Sequence, residues 1–182
     1  MPIAPRFNEL KTTEAACLFI QLNGGKIEYL KLLKLLYLMD RTALDQWERP
    51  VTFDWYVSMK NGPVLSHTYD LIRSNCDSQY WSNFIEVAPR YSVVQSKSIK
   101  FRALSEAELD LINEIYSNYG RYDRWVLSKL THTLPEYKPT DGPAKAILLS
   151  DILRALNYSS EDIERINSEL LEEASIDAVF GD

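Results

Sequence analysis

Apolar positions recur at helical spacing along most of the chain. From Ile27, the residues Leu30, Leu33, Tyr37 and Leu44 fall on one helical face, and Leu32, Leu35, Leu36, Leu38 and Met39 add apolar surface around most of the circumference. A helix apolar on nearly every side is wrapped by neighbours, so 27–48 is predicted to be central. Pro50 lies beyond its end. A first helix is predicted over 8–22, with Asn8 as its N-cap and Asn23-Gly24-Gly25 as a left-handed stop. Over 51–60 the period changes to two. Phe53, Trp55, Val57 and Met59 alternate with Thr52, Asp54, Tyr56, Ser58 and Lys60, which predicts an extended segment with one buried face. Trp55 and Tyr56 must then point to opposite sides, with Tyr56 the more available of the two. Asn61-Gly62-Pro63 forces a turn, and a short helix follows over 66–74.

The second half predicts short strands at 84–87, 91–95 and 99–101, joined by Ala88-Pro89-Arg90. Ser105 and Glu108 have capping-box spacing, with Leu104 set to staple onto Leu109, so a helix opens at Ser105 and ends at Gly120. Further helices are predicted over 122–133, 150–156 and 159–174. The fold class is therefore α+β, mainly α: a compact helical domain around a leucine-rich helix with a small antiparallel sheet. The domain is assigned to 1–156, with 157–182 as an acidic C-terminal helix or tail.

Charge sharpens that division. The whole chain carries −6, but the segment from Tyr158 holds eight acids and one base, so the tail is −7 and the remainder +1. A net acidic chain is a poor partner for nucleic acid and a fair one for a basic protein surface. No apolar run reaches the ~18–20 residues of a membrane span. Met1–Pro5 has no cationic stretch leading into an apolar one, and Cys17 and Cys76 read as two buried free thiols. Both features suit the cytoplasm.

Chemistry is sparse. His67, His132, Cys17 and Cys76 share no ligand spacing, so neither a metal nor a cofactor is expected. No nucleophile motif and no phosphate loop is present, and Asn23-Gly24-Gly25-Lys26 reads as a turn between helices. Asp40 and Asp45 read as surface groups, with Arg41 and Asp45 at i,i+4. Lys26, Lys31 and Lys34 read as a solvated stripe. Tyr116, Tyr119, Tyr122 and Trp125, beside Arg121 and Arg124, could form a stacking platform; an aromatic seam between helices is the preferred reading. No catalytic residue is assigned, and the chain is expected to bind rather than catalyse.

Three segments go further: Lys31–Arg41, Pro50–Val64 leading into Tyr69-Asp70-Leu71, and Leu127–His132 followed by a proline and an aromatic. Their order and spacing resemble the Panacea domain, the SocA-like, phage-associated family, over about 11–156. The sequence departs from the family pattern at Glu48-Arg49-Pro50 and at Pro135-Glu136-Tyr137. The resemblance implies an antitoxin that binds and covers a co-encoded protein toxin, with a basic toxin surface suggested by the acidic tail. One branch of the family resembles adaptors that deliver a toxin to an ATP-dependent protease, which is the alternative role. A DNA-binding repressor and a hydrolase using His132 are the remaining classes. The residues expected to touch a partner are Tyr56, Lys60, Asn61, Gly62, Pro63, Tyr69 and His132; a homo-oligomer is also compatible with the sequence.

Overall fold

The computed structural model describes residues 6–180, so Met1–Pro5 and Asp182, both used in the sequence reading, lie outside the described residues. Among the described residues the chain is 55% helical, with eight helices and two three-stranded antiparallel sheets: α+β and mainly α, as the periodicity implied. In chain order the elements are α1 (Glu9–Leu22), β1 (Lys26–Glu28), α2 (Tyr29–Trp47), β2 (Tyr56–Met59), β3 (Gly62–Leu65), α3 (Ser66–Arg73) and α4 (Trp81–Phe84). They continue with β4 (Ile85–Ala88), β5 (Ser92–Gln95), α5 (Glu106–Tyr119), α6 (Arg124–His132), β6 (Lys145–Ile147), α7 (Leu149–Ala155) and α8 (Ser160–Phe180).

Helix α2 is central. Every residue from Leu32 to Asp40 is buried, and α1, α3, α5, α6 and α7 all pack against it. Its stop is a left-handed Glu48 (φ 58) rather than the proline two residues on. Asn8 caps α1 by accepting from the Lys11 amide at 3.0 Å. Ser105 and Glu108 close the capping box at α5. The Asn23-Gly24-Gly25 stop leads into β1, not into a helix; Gly24 and Gly25 both hold positive φ. One sheet runs β1-β5-β4 and the other β3-β2-β6. Residues 99–101 form no strand, and β6, which no alternation announced, pairs with β2 at Tyr56 and Ile147. Helix α8 joins the same core through Ile163, Ile166 and Leu170. Among the described residues, no helix is long and apolar enough to cross a membrane.

The alternation over 51–60 is present, but the buried side is the other one. Thr52, Asp54, Tyr56 and Ser58 are inside, whereas Trp55 is 61% exposed. The reason is Asp40, fully buried on α2. Its carboxylate accepts from the amides of Val51 (2.9 Å) and Thr52 (3.1 Å), from the Thr52 hydroxyl and from the Tyr56 hydroxyl at 2.8 Å. Asp54 likewise accepts from the amides of Trp55, His67 and Thr68 and from the Thr68 hydroxyl. A buried polar side costs little when its donors and acceptors are matched, so these bonds decide which face turns inward. Tyr56 is therefore a core residue that packs edge-on to Tyr37, and its expected availability to a partner is not realised.

The same device recurs. Glu14 accepts from the amides of Arg102, Ala103 and Leu104, and Glu9 from those of Gln79, Tyr80 and Trp81. Glu136, in the loop after α6, takes the Tyr37 hydroxyl and the Arg41 guanidinium. Carboxylates thus pin irregular segments to helices, satisfying loop amides that burial would otherwise strand. Arg41 is spent on Glu136 rather than on Asp45. Cys17 is buried, with its thiol pushed up to about 12 by desolvation, but Cys76 is exposed.

Candidate functional site: a clamped turn beside an aromatic groove

The three segments that carry the resemblance converge on one point. The turn between β2 and β3 is Lys60-Asn61, and Gly62 opens β3 at φ +101. A Cβ there would lie 2.8 Å from the Thr131 hydroxyl oxygen, 2.9 Å from Lys34 Nζ and 3.3 Å from His132 Cδ2. Glycine is required twice over, for its backbone angles and for the closeness of α2 and α6. Pro63 follows on β3, an edge strand, where its missing N–H leaves no gap in the ladder.

The carbonyls around the turn are each held. Lys34 Nζ donates to Pro63 O at 2.6 Å, the Ser128 hydroxyl to Asn61 O at 2.7 Å, and the Tyr137 hydroxyl to Met59 O at 3.0 Å. The Lys60 carbonyl engages His132, whose ring stacks on Tyr137 with centroids 4.5 Å apart. Donors from α2, α6 and the following loop therefore fix the turn from behind.

Lys34 is the exception among these donors. Its spacing with Lys26 and Lys31 predicts a solvated stripe, yet it is fully buried. Desolvation brings its ammonium down to about 7, with no carboxylate to offset the loss of water. Burial also lowers the pKa of His132, and the Lys34 charge adds to that. Asp40 shows the opposite polarity: desolvation raises it to about 6 even though four hydrogen bonds favour its charged form.

In front of the turn lies a groove. Leu30, Leu33, Met59 and Val64 line it together with Lys60, Asn61 and Gly62, and Tyr29, Tyr69, Tyr91, Arg124 and Trp125 surround them. Tyr29 meets Tyr69 at 6.4 Å and Tyr91 edge-on at 6.1 Å. The Arg124 guanidinium lies 4.8 Å above the Trp125 ring and pairs with Glu28 at 3.0 Å. Tyr91 and Trp125 are 67% and 51% exposed, which makes them accessible apolar surface rather than core.

Of the residues expected at a partner surface, Lys60, Asn61, Gly62 and Tyr69 line this groove. Pro63 is buried under it, His132 is exposed behind the turn, and Tyr56 is remote from it in the core. The sequence reading missed Tyr29, Leu30 and Leu33, because on a helix apolar all round no periodicity distinguishes a groove floor from core. Tyr91 was read only as the start of a strand. Trp125 and Arg124 were noticed as a possible platform, and their exposure puts them at the groove rather than in a closed seam.

These features describe a small α+β scaffold with a turn held from behind at a surface groove. The antitoxin SocA-like, Panacea domain family matches residues 32–138, more than half of the chain, and the protein belongs to that family. Its general role is accordingly that of an antitoxin. The matched residues enclose Lys34, the clamped turn, Ser128–His132 and Tyr137, while α1, β1, α7 and α8 lie outside them. No curated protein and no solved structure is a significant match to the chain.

Proposed function

We propose that this antitoxin neutralises a protein toxin by direct binding, using the groove in front of the clamped turn, and that it acts by occupancy rather than by chemistry. The observation that carries the reading is the convergence of Lys34 and Thr131 on Gly62, so close that a Cβ on Gly62 would lie within 3 Å of both side chains, directly behind an exposed aromatic groove. A partner surface gains from being rigid before it binds, because less side-chain and loop freedom is lost on contact. Tyrosine, tryptophan and arginine are also the side chains that most often anchor interfaces.

Charge differs between the ends of α2. Lys60 and Arg124 rim the groove near its N-terminus, and acidic α8 attaches near its C-terminus through Arg165–Glu48 and Arg49–Glu173. The acidic end suits a basic toxin surface; the groove suits an apolar side chain flanked by neutral or acidic groups.

Co-expression with the product of the neighbouring reading frame tests the proposal. Wild-type protein restores growth of cells making that product, and the Trp125→Ala, Lys60→Glu double variant, folded by circular dichroism, does not. A toxic neighbour that wild-type protein leaves lethal removes the reading of this chain as its neutraliser. Equal rescue by the variant removes the groove.

A further inference from the structure

Two features remain without a counterpart: the groove, and the bare end of α8. Ile176, Val179 and Phe180 are 57%, 73% and 82% exposed. Their i, i+3, i+4 spacing puts them on one helical face, and Glu172 and Glu173 continue that face one turn earlier. Asp177 is exposed beside them. The end of α8 is thus an apolar stripe set among carboxylates. The groove is its complement. Its floor is aliphatic and its rim aromatic. Lys60 is exposed at one side, and a second, polar hollow that shares Arg124 brings in Lys26 and Arg90. The two acids in that hollow are already engaged, Glu28 by Arg124 and Asp123 by capping the α6 amides of Trp125 and Val126. A cationic surface on a chain of net charge −6 is local, and the acidity that could meet it is concentrated in α8.

We propose that the apolar, acidic end of α8 from one copy of the chain docks in the groove of a second copy, and that the exchange is reciprocal. Phe180 and Val179 enter between Tyr91 and Trp125, and Glu172 and Asp177, which carry no ion pair of their own among the described residues, meet Lys60 and Arg90. The groove and the attachment of α8 lie near opposite ends of α2, which is about 28 Å long at 1.5 Å per residue. Two copies set antiparallel therefore bring each helix end to the other's groove, and a two-fold axis closes the pair without propagating a chain. The contact itself does not depend on the toxin reading. Its consequence does: the groove is masked in the resting dimer, and a toxin must displace the α8 end to enter.

Sedimentation equilibrium of the full-length protein tests this directly. The expected result is a monomer–dimer equilibrium that weakens at high salt. Phe180→Asp and Lys60→Glu, at sites exposed in the monomer, should each weaken dimerisation by about a hundredfold or more, because every homodimer carries the defect in both of its contacts and one defect is enough to empty a contact. The decisive arm mixes the two variants. Phe180→Asp retains a working groove and Lys60→Glu a working helix end, so the mixture should associate through one good contact more strongly than either variant alone. A monomer at every concentration, a dimer indifferent to both substitutions, or a mixture no more associated than its parts overturns the proposal. These results read association of the chain with itself; toxin neutralisation is read separately by the co-expression assay.

Discussion

Asp40 and Lys34 lie six residues apart on the same helix, both hidden from solvent, and the fold accommodates them in opposite ways. Asp40 is surrounded by two amides and two hydroxyls, so four protein donors offset much of its lost hydration, although desolvation still raises its pKa to about 6. Lys34 has a single carbonyl, that of Pro63, and its ammonium is otherwise desolvated. The first arrangement is a knot that ties the 51–56 segment to α2. The second carries a standing desolvation cost and holds one turn at the wall of the groove. Complete hydrogen bonding marks the group that stabilises the fold; an underserved buried charge marks the group retained for where it places something else.

The sharpest way to break the comparison is Asp40→Ala. It strands two buried hydroxyls and two amides, and at ~1–3 kcal/mol for each group left unpaired, partly relieved by rearrangement, a loss of about 4 kcal/mol is expected in urea unfolding. A loss below about 1 kcal/mol would mean that the knot is ornamental. Next is Gly62→Val. The positive φ and the encounter with Thr131 and Lys34 should cost about 2–4 kcal/mol and disturb the groove wall.

Lys34→Met should behave differently from both: by removing a buried charge without a carboxylate partner, it should leave stability near pH 7 unchanged or higher. Its pH signature has a definite sign. The folded-state pKa lies below the ordinary 10.5, at about 7, so between these values the unfolded chain binds more protons. Wild-type stability therefore gains from this group as pH rises from 7 to 10.5, and the Lys34→Met difference curve should shrink over that window. Asp40 has the reverse sign, since its folded pKa is raised from 3.8 to about 6 and its contribution falls as pH rises through that range. A difference curve for Lys34→Met that is flat from pH 7 to 10 would show that the ammonium is hydrated after all. The smallest effect is on a neighbour: without the Lys34 charge, the His132 pKa should rise in an NMR titration.

Much of the framework was legible. Asn8, Ser105 and Glu108 announced helix starts because capping is a local hydrogen bond, written in three or four adjacent residues. The all-round apolar pattern of α2 announced the centre of the fold. What stayed hidden was long-range. Lys34 looks like any lysine on a helix, and only the arrival of Pro63, 29 residues later, gives its ammonium a partner. Period two around Tyr56 was visible, but the side that turns inward depends on Asp40, 16 residues earlier. The turn expected at Asn61-Gly62-Pro63 is present between β2 and β3, and Lys60, Asn61, Gly62 and Tyr69 line one groove. The remaining aromatics come from separate elements, α2, the β4–β5 turn and α6, and no sequence pattern links them. The resemblance identified the three segments but not that they meet.

The central claim is that a turn fixed from behind presents a groove that captures a toxin. Isothermal titration of the purified product of the neighbouring reading frame tests it most directly, using wild-type protein and Trp125→Ala, whose ring is half exposed. The account predicts saturable binding by wild type, and at least a tenfold loss in the variant at unchanged thermal stability, as for an interface anchor. Equal affinity for the two proteins would contradict it.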